Sequence, residues 1–427
     1  MRPDPLTPTE PACTGLVLSG GGARAAYQVG VLEAIADIRR SAAPANATSP
    51  FAIITGTSAG AINAAALACG ADDFDGTVRT IVGLWKNIHA AQVYRADSLG
   101  VLRSGARWLT LLSLGWVLAR WRRVKPRSLL DNRPLQRLLQ TMGPLQRLPE
   151  LIRQGQVQAL AVTASSYSSG EHVTFFEGDK RLQPWVRSQR YALRDRITHQ
   201  HLLASSAIPF VFPAMPLQVV GRVEYFGDGS MRQSAPVAAA IHLGAQRVLV
   251  VGAGRMQEPR EERPRASHSA YPSLAQIAGH ALSNIFLDAL AVDVERVRRI
   301  NQTLSLIAPG ERHNSPLKPI ALLVIAPSQR LDTIAARHVD ALPRPVRTML
   351  DALGVSSRAA DVKGAALASY LLFEAAYCRE LMALGYADTM AQQGEVRSFF
   401  GWPANQSAAS STAPQPGRTA PATQAPV

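Results

Sequence analysis

Three short stretches of the chain carry groups suited to acyl-ester chemistry. Gly56-Thr57-Ser58-Ala59-Gly60 matches G-x-S-x-G and lies between a strand-like and a helix-like stretch. A sharp turn there needs small neighbours, Gly56 and Gly60, on both sides of the serine. It lifts the Ser58 hydroxyl to a helix N-terminus, where the dipole favours developing negative charge. Gly20-Gly21-Gly22 also follows a strand and opens a helix, so its backbone N–H groups can converge on an oxyanion. It fits neither nucleotide-loop pattern: G-x-G-x-x-G needs glycine where Ala25 stands, and no Gly-Lys-Ser/Thr follows. Arg24, just after the loop, is a candidate to stabilise it or to meet a phosphate head group. Gly227-Asp228-Gly229-Ser230 ends a further strand and places a carboxylate on a tight turn. Taken singly, each stretch has a plainer reading, such as an N-cap serine or a turn aspartate.

Taken together they can form a dyad. A serine hydroxyl is a weak nucleophile until a base takes its proton. A partly desolvated carboxylate within hydrogen-bond reach can be that base, because desolvation raises its pKa towards working pH. Ser58 is then the candidate nucleophile, Asp228 one candidate base, and the Gly20, Gly21 and Gly22 loop a candidate source of oxyanion donors. The scheme needs no cofactor and no metal, and no His/Asp/Glu cluster has metal-ligand spacing.

These stretches need a scaffold of strands that end in tight turns. Apolar strand patterns fall at 15–19, 51–54, 157–163, 172–177, 223–226, 247–251 and 321–325. Helical patterns run from 26 to about 40, after Ser58, over 190–205, over 331–353 with interruptions at Pro343 and Pro345, and over 364–384. Strand, glycine turn and helix, repeated, indicate an α/β fold with a mainly parallel sheet flanked by helices. The organisation expected is a loose tail at 1–12 and an α/β hydrolase domain at 13–330 with a helical, basic insertion at about 93–155. A helical C-terminal extension at 331–402 and a low-complexity, disordered tail at 403–427 follow.

The chain has 427 residues, 47% hydrophobic and 18% charged, which suits a folded protein with a sizeable core. Its formal charge of +14 favours anionic partners. No basic run is interleaved with aromatics, so nucleic acid is not an expected partner. Cys13, Cys69 and Cys378 are odd in number and widely spaced, which argues against a disulfide framework and a zinc site. No secretory signal is readable in the first residues. A cytoplasmic location follows, with peripheral attachment to the inner face of the membrane left open by the charge.

The ordered set SGGGARAAYQVGVLEAI, TGTSAGAINAA, ASSAIPFVFPA and GDGSMRQSAPVAAAIHLGA resembles the patatin-like phospholipase family, bacterial type. The resemblance implies a patatin-like fold and a serine lipid acyl hydrolase acting on phospholipids or related lipids. It also implies roles for Ser58 and Asp228 as a Ser–Asp dyad and for Gly20, Gly21 and Gly22 as the oxyanion hole. Two positions depart from the family pattern: Ser230 follows Asp228-Gly229 where glycine or alanine is usual, and Ala25 stands where many members have glycine.

Alternatives stay open at this point. The same site can serve an acyltransferase. A carboxylesterase with a Ser–Asp–His triad could draw on His242, His268, His280, His313 or His338. A non-enzymatic membrane-binding scaffold is the third alternative. The stretch around 93–127 has an apolar centre at 108–119, too short to span a bilayer. Trp108, Trp116, Arg120, Arg122 and Arg123 suit contact with an anionic membrane surface, and a lid helix is the competing reading.

Overall fold

The computed structural model describes residues 13–42, 48–95, 128–141, 144–231, 233–256, 277, 289–352 and 362–403. The expected tail at 1–12, almost all of the expected tail at 403–427 and residues 96–127 of the expected insertion lie outside the described residues.

In chain order the main elements are β1 (Thr14–Leu18), α1 (Ala26–Ala42), β2 (Ile53–Thr57), α2 (Ala59–Cys69) and α3 (Phe74–Lys86). Next come α4 (Arg133–Thr141), β3 (Ala159–Ser166), β4 (His172–Gly178), β5 (Val186–Arg187), β6 (Arg190–Arg194) and α5 (His199–Ser205). These are followed by β7 (Met215–Val219), β8 (Arg222–Asp228), β9 (Arg247–Val251), α6 (Ala289–Ser305), β10 (Ala321–Ile325) and α7 (Leu331–Ala336). The last are α8 (Arg344–Ala352), α9 (Val362–Leu371), α10 (Ala375–Ala391) and α11 (Gln393–Phe400).

The sheet order is β10-β9-β1-β2-β3-β4-β6-β5, and β8 pairs with β3 and β7. From β10 to β3 every pairing is parallel, whereas β3 pairs antiparallel with β4 and with β8. The fold is therefore a mostly parallel mixed sheet flanked by helices, with a helical C-terminal region. Successive strand residues face opposite sides. Leu16, Leu18 and Ile54 join a core with α1, α2, α3 and α10, while Val17, Ile53 and Val248 join a second core with α6. Burial on both faces explains why these strands read as unbroken apolar runs.

One register places the site. β2 pairs with β3 up to Thr57 opposite Thr163. From Ala164 on, β8 takes over the same side of β3, with Asp228 opposite Ala164. The end of β8 is thus delivered to the residue that follows β2, which is Ser58.

The structure corrects several expected elements. The helical pattern over 190–205 divides into strand β6 and the shorter helix α5. The β6 residues pair in parallel with β4, and that ladder overrides the local helical periodicity. The pattern over 364–384 is likewise broken between α9 and α10, at Leu372-Phe373-Glu374. The strand at β7 and the helix at α3 were not among the expected elements.

Candidate active site

Ser58 sits at the mouth of α2 with φ 55 and ψ −131, a conformation rare for a residue with a side chain. Such strain costs about 1–3 kcal/mol and persists only where the surroundings enforce it. Here they do: a Cβ on Gly60 would lie 2.4 Å from the Leu18 carbonyl oxygen, and one on Gly56 would lie 2.5 Å from the Gly60 oxygen. The elbow is therefore pressed against the end of β1, which carries the glycine loop.

Ser58 Oγ donates to Asp228 Oδ2 at 2.6 Å, and both residues are buried. The second carboxylate oxygen, Oδ1, accepts the Ser230 N–H at 2.9 Å. Burial pushes the Asp228 carboxyl up to about 6, although the Ser58 hydroxyl and Ser230 stabilise its charged form.

Ser205, at the end of α5, holds the two halves together. Its Oγ accepts the Ser58 N–H at 2.9 Å and donates to the Thr163 carbonyl at 2.6 Å. Its own carbonyl accepts the Gly229 N–H at 3.1 Å, and the Asp228 N–H donates to the Ala207 carbonyl at 2.9 Å. The aspartate turn is braced from the other side by His172 on β4, whose Nε2 donates to the Gly229 carbonyl at 2.9 Å. Burial lowers the His172 pKa to about 4, so the ring is neutral at ordinary pH.

The glycine loop runs from β1 into a short turn of 3-10 helix, Gly22–Ala25. A chain of buried amides supports it: Gln28 Nε2 donates to the Ser19 carbonyl at 2.7 Å, and Asn63 Nδ2 donates to Gln28 Oε1 at 3.2 Å. Trp85 Nε1 completes the chain by donating to Asn63 Oδ1 at 3.0 Å. Arg24 is 3% exposed and turned into the fold, with Nε donating to Ser369 Oγ at 2.7 Å. That geometry suits support of the loop and not contact with a lipid head group.

A cleft of about 480 Å³, part of it open to solvent, starts at Ser58 and Gly22. Its walls are almost entirely apolar, with Ile62, Leu84, Trp85, Leu135, Phe212 and Phe373 among them. A long hydrocarbon chain is the ligand such walls favour. Among the described residues no group of three His, Cys, Asp or Glu side chains is placed to hold a metal.

The structure thus brings together Ser58, Asp228, Gly22 and the end of β1. Of the histidines considered for a triad, the two whose side chains are described, His242 and His338, do not join them. His242 stacks on Trp185 at 4.9 Å between ring centroids, and His338 Nε2 meets Glu380 Oε2 at 2.6 Å. His268 and His280 lie outside the described residues, as do Trp108, Trp116, Arg120, Arg122 and Arg123, and the His313 side chain is not described.

Residues 16–241 match the family model described as patatin-like phospholipase. This is more than half of the chain, and the protein belongs to the patatin-like phospholipase family, a family of lipid acyl hydrolases. Comparison with curated proteins returns no match. Among solved structures the chain is similar to human GIVD cytosolic phospholipase A2 in complex with a methyl γ-linolenyl fluorophosphonate inhibitor and terbium chloride. The identity is 13% and the TM-score 0.37, with 92% of this chain and 60% of that chain covered. The chain therefore spans less than two thirds of that structure. Among the described residues no helix is long and apolar enough to cross a membrane.

Proposed function

We propose that this protein hydrolyses fatty acyl esters of phospholipids or related lipids through a Ser58–Asp228 dyad, with the loop of Gly20, Gly21 and Gly22 as its oxyanion hole. The observation that carries the reading is the 2.6 Å contact of Ser58 Oγ with a buried carboxylate, at the end of an apolar cleft.

The acyl chain lies along the apolar walls and presents its ester carbonyl to Ser58. Asp228 takes the hydroxyl proton as Oγ attacks, and the tetrahedral oxyanion forms against the glycine loop. The N-terminus of α2 adds a favourable dipole. The ester C–O bond then breaks as the proton on Asp228 passes to the departing alcohol, leaving an acyl-serine. Water enters, gives a proton to Asp228 and attacks the acyl carbonyl, and the fatty acid leaves as Ser58 recovers its proton. No step requires a metal.

Hydrolysis of a lipid panel by the purified protein tests this, with Ser58→Ala and Asp228→Asn as controls and EDTA in a parallel arm. Each substitution is expected to abolish most activity, and the pair not to combine additively, because the two groups act as a unit. EDTA is expected to have no effect. Near-normal turnover by Asp228→Asn would place the base elsewhere, and loss in EDTA reversed by calcium would overturn the metal-free scheme.

A further inference from the structure

The family match ends at residue 241, yet the loop and the cleft both rest on chain that follows much later. The Arg24 guanidinium lies 4.2 Å over the Tyr370 ring, and besides Ser369 Oγ its second hydrogen-bond partner is the Ala366 carbonyl, at 3.5 Å. Ser369 Oγ, fully buried, donates in turn to Ala366 O at 2.6 Å. Among the described residues the hydrogen-bond acceptors of the Arg24 guanidinium, Ser369 Oγ and the Ala366 carbonyl, are neutral. Among the described residues Arg24 forms no ion pair.

The backbone makes the same contact. Gly22 has φ +55, and a Cβ there would lie 2.3 Å from the Tyr370 carbonyl oxygen. Two further bonds tie this stretch to the far wall of the cleft: the Tyr94 hydroxyl donates to Leu371 O at 2.8 Å, and the Ala90 N–H donates to Glu374 Oε1 at 3.3 Å. Between them Phe373 forms part of the cleft itself, 6.2 Å from the Trp85 ring and 6.4 Å from the Tyr94 ring.

We propose that the end of α9 and the break that follows it before α10, residues 369–374, are a working part of the site, although they lie outside the matched family region. Ser369 is a positioning residue: it holds the oxyanion loop in place through Arg24. Phe373 is a specificity-determining residue that narrows the cleft and limits the acyl chain it accepts. The inference rests on the ester-hydrolase reading above. Its two parts have separate signatures, since a displaced oxyanion loop lowers kcat while ground-state binding survives, and a wider cleft changes selectivity among chains.

The test uses the full chain with p-nitrophenyl esters from C4 to C16, and in parallel the rate at which alkyl fluorophosphonates of matching length label Ser58. Ser369→Ala is expected to lower kcat and the labelling rate about tenfold at every chain length, with KM little changed, and Ser369→Thr to restore both because it keeps the hydroxyl. Phe373→Ala is expected to raise the C16-to-C4 ratio of kcat/KM about tenfold. If Ser369→Ala does not fold, Arg24→Lys, which keeps the charge but loses the Nε contact, is read by the same criterion. Wild-type kcat and labelling in the folded position-369 or position-24 variant, or an unmoved chain-length ratio in Phe373→Ala, overturns the corresponding half of the proposal. A wild-type protein that neither turns over esters nor is labelled would overturn the dyad reading instead.

Discussion

Replacing Asp228 by asparagine is expected to remove activity and to make the protein more stable at neutral pH. The introduced amide would keep both contacts, its oxygen accepting the Ser230 N–H and its nitrogen donating to Ser58 Oγ, while no longer burying a charge. The size follows from the carboxyl itself. Burial raises it from 3.8 to about 6. At about 1.4 kcal/mol per tenfold change in proton affinity, that is roughly 3 kcal/mol. Below about pH 4 the group is protonated whether the chain is folded or unfolded, so it costs the native state nothing. Between about pH 4 and 6 the unfolded chain has released this proton while the folded one still holds it, so stability falls as pH rises across that window and levels off once the folded group has ionised too. The amide variant has no such loss. Thermal melts of both proteins from pH 4.5 to 8 are therefore expected to diverge, with the variant higher and the gap level above pH 7. At roughly 2 °C per kcal/mol the plateau is about 6 °C. A gap that is independent of pH, or that widens on acidification, would refute the account of Asp228 as a carboxylate held ionised against burial.

The pH profile of kcat/KM is expected to rise tenfold per unit towards a limb near pH 6 and then flatten, because only ionised Asp228 accepts the serine proton; a limb at or above 7 would point to a different base. Ser205→Ala removes the acceptor of the Ser58 N–H and the donor to Thr163, which is expected to cost about 1–3 kcal/mol of stability. A parallel loss of kcat is expected, and unchanged kcat in a destabilised variant would limit Ser205 to scaffolding. Replacing Arg120, Arg122 and Arg123 together by Glu is expected to weaken sedimentation with anionic vesicles while soluble short-chain esters are still cleaved, since each basic residue near such a surface contributes about 1 kcal/mol. Equal sedimentation of the variant and wild type would exclude these three residues as the membrane contact.

The groups legible in the sequence are those whose position is set by backbone geometry at short range. Small residues flanking Ser58, three glycines before α1 and Asp228 between two glycines all mark sharp turns at strand ends. The parallel strands were legible for a similar reason, since burial on both faces leaves apolar runs such as 247–251. Ser205, His172, Asn63 and Trp85 were not, because their roles arise from contacts across the fold; Ser205 and Ser58, for example, are 147 residues apart. Gln28 did leave a signal, a polar residue inside the apolar run AYQVGVLEAI, whose buried amide had to find partners. The strand within 190–205 was hidden because its ladder partner on β4, not its own periodicity, decides its conformation.

The Arg24–Ser369 contact also bears on how the protein is made. Its partners are 345 residues apart, and at 5–20 residues per second a ribosome needs roughly 17–70 s to cover that distance. The nascent chain therefore carries Ser58 and Asp228 for some time before the residues that hold Arg24 and the glycine loop exist. If the glycine loop is the oxyanion hole, the unfinished chain is expected to stay inactive until the last helices are in place.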